Sequence, residues 1–181
     1  MISSKKDLKF YLEEDKKALH ISKKKPSLFG DEVWKFEIVL RKYEYFLNTS
    51  GSFLHSLLRQ YYHFLFHHMS IKLNFNIPPN VFREGLAIVH YGTIVVNKNS
   101  RVGANCRLLE CVNIGAVHAG LSPQIGDNVF IGTGAKILGN IKVASNTTIG
   151  AGAVVVRDIL EEGTTWVGVP AHKVEHKDNI V

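Results

Sequence analysis

"IGDNVFIGTGAKILGNIKVASNTTIGAGAVVV", residues 125–156, carries the pattern that decides the fold. An aliphatic residue returns at every sixth position: Ile125, Ile131, Ile137, Val143, Ile149 and Val155. A shorter series of the same period precedes it, made of Val102, Leu108 and Ile114. The next residue is often glycine or alanine, as at Gly103, Gly115, Gly126, Gly132, Ala144 and Gly150. The residue four places on is small or aliphatic: Cys106, Val112, Val129, Ala135, Ile141, Thr147 and Ala153. An 11-residue step from Ile114 to Ile125 separates the two series, six residues plus a five-residue insertion within "GAVHAGLSPQ".

A period of six fits neither an amphipathic helix nor a simple alternating strand. A coil of three short strands satisfies it. Three six-residue edges close one triangular turn of 18 residues, and residues 18 apart then stack at strand spacing, about 4.8 Å. Ile131, Ile149 and Val167 obey that spacing, as do Gly132, Gly150 and Gly168. Aliphatic side chains fill the prism, and glycine beside them lets the backbone turn the corner without a Cβ clash.

Outward from the repeat, the chain changes character. Residues 1–73 are rich in Leu, Lys, Tyr, Phe and His, with apolar residues at helical spacing near 5–20, 31–47 and 52–72. Asp31 and Ser52 stand where N-caps are expected, and Gly30 and Asn48–Gly51 are breakers. The expectation is a short α-helical region, 1–73, followed by a mainly β domain, 74–181.

Composition narrows the function. Apolar residues make up 45% and charged residues 21%, the balance of an ordinary globular protein. No apolar run is long enough for a membrane span, and "MISSKKDLKFYLEEDKK" has no apolar core of a signal peptide. A cytoplasmic protein with Cys106 and Cys111 as reduced thiols is expected. The net charge of +6, concentrated in the first 25 residues, suits anionic partners, but no nucleic-acid motif accompanies it.

The stretches "NIPPN" (76–80), "VHYGTIVVN" (89–97), "IGDNVFIGTGAKILGNIKV" (125–143), "IGAGAVVVRDI" (149–159) and "VGVPAHKV" (167–174) together resemble the hexapeptide-repeat acyltransferases. The resemblance is to serine acetyltransferases and their relatives in surface-polysaccharide gene clusters. It implies a left-handed parallel β-helix, acetyl-CoA as co-substrate and a homotrimer, with a dimer of trimers as a further arrangement. No metal and no nucleic-acid partner are expected.

His90 is the catalytic residue that the resemblance implies. With Ile88 and Ile94 inward, His90 falls two residues past an inward position and points out of the prism, and a two-residue excess is left between Ile94 and Val102. Turned inward, the imidazole would be buried among aliphatics without a partner. A base of near-neutral pKa suits the reaction, because an alcohol must lose its proton as it attacks a thioester. An aspartate of serine acetyltransferases that pairs with the histidine is matched here by Asn76, and the residue before the histidine is Val89 rather than aspartate. Glu110 is a second candidate orienter. A substrate-binding histidine of the inserted loop is matched by Ser122, and His118 nearby is the substitute candidate. By motif position acetyl-CoA should lie along Gly132, Thr133, Gly134 and Ala151, with Lys173 as the favoured phosphate partner over Lys136 and Arg157.

The missing aspartates make a sugar hydroxyl of a surface polysaccharide or its precursor the expected acceptor. L-serine is the alternative, and a non-catalytic scaffold the reading from another class. A β-helical carbonic anhydrase needs three zinc-binding histidines on adjoining coils, and only His90 and His118 lie in the coil. His63, His67 and His68 share a helix but lack an evident further ligand.

Overall fold

The computed structural model describes residues 1–117 and 120–174. Three helices precede the β region: α1 (Lys5–Ala18), α2 (Glu32–Asn48) and α3 (Phe53–Leu73). Ser4 caps α1 by accepting the Asp7 N–H. Asp31 and Ser52 stand at the starts of α2 and α3, yet neither side chain caps its helix. The Asp31 carboxylate instead takes the Ser27 N–H at 2.9 Å and the Lys23 ammonium at 3.0 Å, which locks the preceding loop. Asn74, in the left-handed conformation, ends α3.

Fourteen short strands follow among the described residues, and the first thirteen wind into a left-handed parallel β-helix of about five turns. One face holds β1 (Phe75–Asn76), β3 (Ile94–Val96), β6 (Asn113–Gly115), β9 (Lys136–Leu138) and β12 (Val154–Val155). A second holds β4 (Arg101–Val102), β7 (Gln124–Ile125) and β10 (Lys142–Val143). The third holds β2 (Ala87–Ile88), β5 (Arg107–Leu108), β8 (Phe130–Ile131), β11 (Thr148–Ile149) and β13 (Thr165–Val167), closed by antiparallel β14 (His172–Val174).

The periodic aliphatics are the core. Ile125, Ile131, Ile137, Val143, Ile149 and Val155 are buried, and so are the small residues from Cys106 to Ala153 that lie four places after inward positions. Gly132 is needed where two coils touch: a Cβ there would lie 2.7 Å from the Ala151 nitrogen. Burial also pushes the Cys106 thiol up to about 12, so it stays protonated.

Two registers differ from the simple count. Ile149 pairs with Trp166, not Val167. The preceding edge is short, since Ile159 follows Val155 by only four residues and bridges Val143. The two-residue excess also lies earlier than expected. Val96, not Ile94, stacks on Ile114, so the step from Ile88 to Val96 spans eight residues. The longer corner is the one that carries His90.

Buried charge fastens the helices to the first coil. The Arg41 guanidinium is fully buried and donates to Asp15 Oδ2 at 2.7 Å and Glu44 Oε2 at 3.0 Å. It also donates to the carbonyls of Phe82 at 2.9 Å and Arg83 at 2.7 Å. Asp15 Oδ1 in turn accepts the N–H groups of Gly85 and Leu86, both at 2.9 Å. Each buried charge therefore has an opposite charge and backbone partners, the condition under which burial is tolerated.

Candidate active site

His90 sits in the eight-residue step between β2 and β3, and its side chain is exposed. The corner bulges because Gly92 adopts φ +150°, with its N–H held by the Leu73 carbonyl at 3.3 Å. A Cβ at Gly92 would lie 3.0 Å from the Glu110 Cβ, so the turn needs glycine. A cavity of about 300 Å³ opens beside His90. Its walls include Tyr91, Ile21 and the start of α2 from Asp31 to Trp34.

The corner below each of these strands falls on the same edge of the prism. Glu110 lies between β5 and β6, Thr133 and Gly134 between β8 and β9, and Ala151 between β11 and β12. Backbone bonds join them: Gly134 N–H to the Glu110 carbonyl at 2.9 Å, and Gly152 N–H to the Thr133 carbonyl at 2.8 Å. His90, Glu110, Thr133 and Ala151 thus mark four successive coils on one edge. At about 4.8 Å per coil, His90 and Ala151 are separated by roughly 14 Å along it. Gly134 has positive φ, +71°, and Gly152 shares that geometry at +67°. The result is a narrow rail with an exposed imidazole at one end.

Glu110 has one buried carboxylate oxygen, Oε2, without a hydrogen-bond partner. An ionised or neutral carboxyl left so is unfavourable unless something else occupies the site. It packs against Gly92, two residues from His90, while Asp31 and Glu32 line the cavity beside His90. Asn76 is placed otherwise. It pairs with Val95 on an exposed face and lines a different cavity, with His63, His67 and Thr93. Within one chain, no hydrogen bond joins Asn76 to His90 among the described residues.

His118 lies outside the described residues. Ser122 is buried and donates to Asn97 Oδ1 at 3.0 Å. The inserted loop leaves from the corner after β6, a different edge from that of His90. Lys173 is held by Glu161, with both oxygens at 2.7 Å, and lines a cleft of about 390 Å³ with Arg157, His172 and Trp166. Lys136 reaches the Gly134 carbonyl at 3.3 Å. His63 stacks on Tyr43, ring centres 5.1 Å apart, and no metal-binding group of three occurs among the described residues.

Two residues near the site escaped the sequence reading. Trp34 walls the His90 cavity. Glu37, on the same helix, is wholly buried, and its Oε1 accepts the Ile88 N–H at 2.9 Å. Burial first, then the negative charge of Asp15, holds its carboxyl well above the usual range. The signal in the sequence is an acid set between the core residues Phe36 and Leu40.

The model of the bacterial transferase hexapeptide family, six repeats, matches residues 122–157. A serine acetyltransferase of Staphylococcus epidermidis is 34% identical over 95 residues, 51% of this chain and 44% of the relative. One from Staphylococcus aureus is 39% identical over 93 residues, 50% of this chain and 43% of the relative. The soybean serine acetyltransferase structure superposes with a TM-score of 0.74 at 28% identity, covering 93% of this chain and 69% of that one.

The chain carries the hexapeptide repeat and is similar to serine acetyltransferases.

A serine acetyltransferase in complex with CoA matches equally well, with a TM-score of 0.74 at 25% identity over 94% of this chain and 71% of that one. The serine acetyltransferase-like chain spans less than half the length of the curated relatives it matches. The structural likeness covers the helices as well as the coil, since nearly the whole chain superposes on the soybean protein.

Proposed function

We propose that the chain is an acetyl-CoA-dependent O-acetyltransferase. The observation that carries this reading is the single edge on which His90 and Glu110 precede Thr133, Gly134 and Ala151. A thioester arm laid along small corner residues would bring its reactive end to the exposed imidazole. His90 would take the acceptor hydroxyl proton as the oxygen attacks the thioester carbonyl. The tetrahedral intermediate would then expel the CoA thiolate, and the imidazolium would return the proton to sulfur. Glu110 is the residue we assign to orient His90. Its buried free oxygen and its contact with the Gly92 turn support that role over Asn76. Lys173 and Arg157, which line one cleft, are the cations we assign to the CoA phosphates.

L-serine is the acceptor favoured by the comparisons, since the similar proteins are serine acetyltransferases and one was solved with serine. One observation favours a sugar hydroxyl: Asn76 and Val89 stand where that resemblance calls for carboxylates to meet an amine. Release of free CoA from acetyl-CoA, measured with L-serine and with a panel of sugars and oligosaccharides, decides between them. Turnover with L-serine supports the first reading, and turnover with a sugar alone supports the second. No thioester turnover together with no acetyl-CoA binding by calorimetry would leave a scaffold.

A homotrimer belongs to the same reading. The inserted loop and His90 occupy different edges of one prism, so a neighbouring prism is needed to bring such a loop to the histidine. The apolar side chains Phe53, Leu54, Leu57, Tyr61, Phe64 and Ile71 exposed on α3 suit pairing of two trimers. Cytoplasmic residence follows from the chemistry, because acetyl-CoA is the co-substrate. No helix among the described residues is long and apolar enough to cross a membrane.

A further inference from the structure

A groove of about 750 Å³ runs between α1 and α2. Its floor is apolar, built from Leu8, Leu12, Ile38 and Val39, with Pro26 and Trp34 at one end. Seven lysines and a single carboxylate, Glu13, line it. Among the described residues, Lys5, Lys16, Lys24 and Lys25 form no salt bridge, and Lys9 meets Glu13 only at 3.8 Å across exposed side chains. Like charges gathered around an apolar floor repel one another, so the face is more stable with anions on it.

The loop beside the groove adds a second feature. Leu28 and Phe29 are 83% and 88% exposed, the largest values among the apolar side chains of the described residues. Only Pro26 and Ser27 separate them from Lys23, Lys24 and Lys25. The loop is not loose at this point: Lys35 Nζ donates to the Leu28 carbonyl at 2.8 Å, and Asp31 binds Lys23 and the Ser27 N–H. Two apolar side chains are thus held outward on a fixed turn, within a field of lysines.

We propose that this face docks the protein on an anionic lipid bilayer, with Leu28 and Phe29 entering the interface and Lys5, Lys9, Lys16, Lys24 and Lys25 meeting headgroup phosphates. Charge complementarity selects an anionic partner. Protrusion selects a bilayer over an acidic protein, because a bilayer accepts an apolar wedge without a preformed pocket. The same loop continues through Gly30 and Asp31 into the wall of the His90 cavity, and Trp34 lines both cavities. A docked protein would present that cavity near the membrane surface, where a lipid-linked acceptor would be found. The docking itself does not depend on the acceptor or on the acyltransfer reading.

The test is co-sedimentation of the full chain with vesicles of phosphatidylcholine alone and of phosphatidylcholine mixed with phosphatidylglycerol. The variants are Leu28→Ser/Phe29→Ser and Lys24→Glu/Lys25→Glu, each checked for wild-type helicity and elution volume. Binding only to the anionic vesicles, weakened about tenfold or more in both variants, is expected. Equal binding by the serine variant would overturn the wedge. No binding to anionic vesicles, with retention on immobilised polyglutamate instead, would overturn the proposal and assign the face to an acidic protein.

Discussion

Glu37 Oε1 accepts the backbone N–H of Ile88 at 2.9 Å, so a helix carboxyl holds the strand that ends two residues before His90. Oε2 of the same group has no partner. Burial raises the affinity of Glu37 for a proton, and the folded chain keeps it neutral where the unfolded chain would ionise. Folding therefore takes up a proton, and this group makes stability fall as pH rises above the ordinary glutamate range towards the folded value. Glu37→Gln is expected to remove that slope. Thermal unfolding from pH 5 to 8 should show the variant gaining on the wild type as pH rises, by about 1.4 kcal/mol for each tenfold change in proton affinity. A difference that stays constant with pH would contradict it.

Arg41 is the neutralising centre for Asp15 and Glu44, all three buried. Arg41→Met leaves two carboxylates without their cation and two carbonyls without a donor. A loss of about 3–5 kcal/mol in urea unfolding is expected. A loss below 1 kcal/mol would mean that the helices are fastened to the coil by apolar contact alone.

Gly92→Ala joins strain to a clash, since the turn has φ +150° and the new Cβ would meet Glu110 at 3.0 Å. The His90 corner must shift. Turnover is expected to fall on the order of a hundredfold, the effect of an ångström-scale misplacement of a reacting group. Under the proposed function acetyl-CoA binds along the coils below, so its affinity should change little. Unchanged kcat would detach Gly92 from the chemistry.

Glu110→Gln keeps the shape of the side chain and removes its charge. If Glu110 orients His90, kcat falls about tenfold or more while acetyl-CoA affinity and the thermal unfolding midpoint stay near those of the wild type. A fall in kcat that is matched by a lowered unfolding midpoint would indicate a packing role only.

The coil was legible because its core repeats: each inward aliphatic sees the same neighbours one turn away, and the sequence repeats with it. Trp166 was not, since the four-residue step from Val155 to Ile159 breaks the count just before it. The His90 corner was misplaced for a related reason. Ile94 and Val96 are both aliphatic and both buried, and a period cannot say which of them stacks on Ile114. The anchoring of the helices was invisible. Arg41 lies 26 residues from Asp15, and Glu37 lies 51 from Ile88, and pairs so distant leave no local pattern. Asp31 read as a cap by residue type, but Lys23 and the Ser27 N–H outbid the helix for its carboxylate. Of the rail, Thr133 and Ala151 came from motif position, while the alignment of Glu110 above them needed the folded corners.

The most direct measurement is the rate of CoA release from acetyl-CoA by His90→Ala, using whichever acceptor the wild type turns over, with acetyl-CoA binding followed by calorimetry on the same samples. The account predicts a fall of about 10²–10⁴ in kcat with acetyl-CoA affinity within a few-fold of wild type. Turnover at the wild-type rate would contradict it, and would show that the exposed imidazole at the end of the rail is not the base.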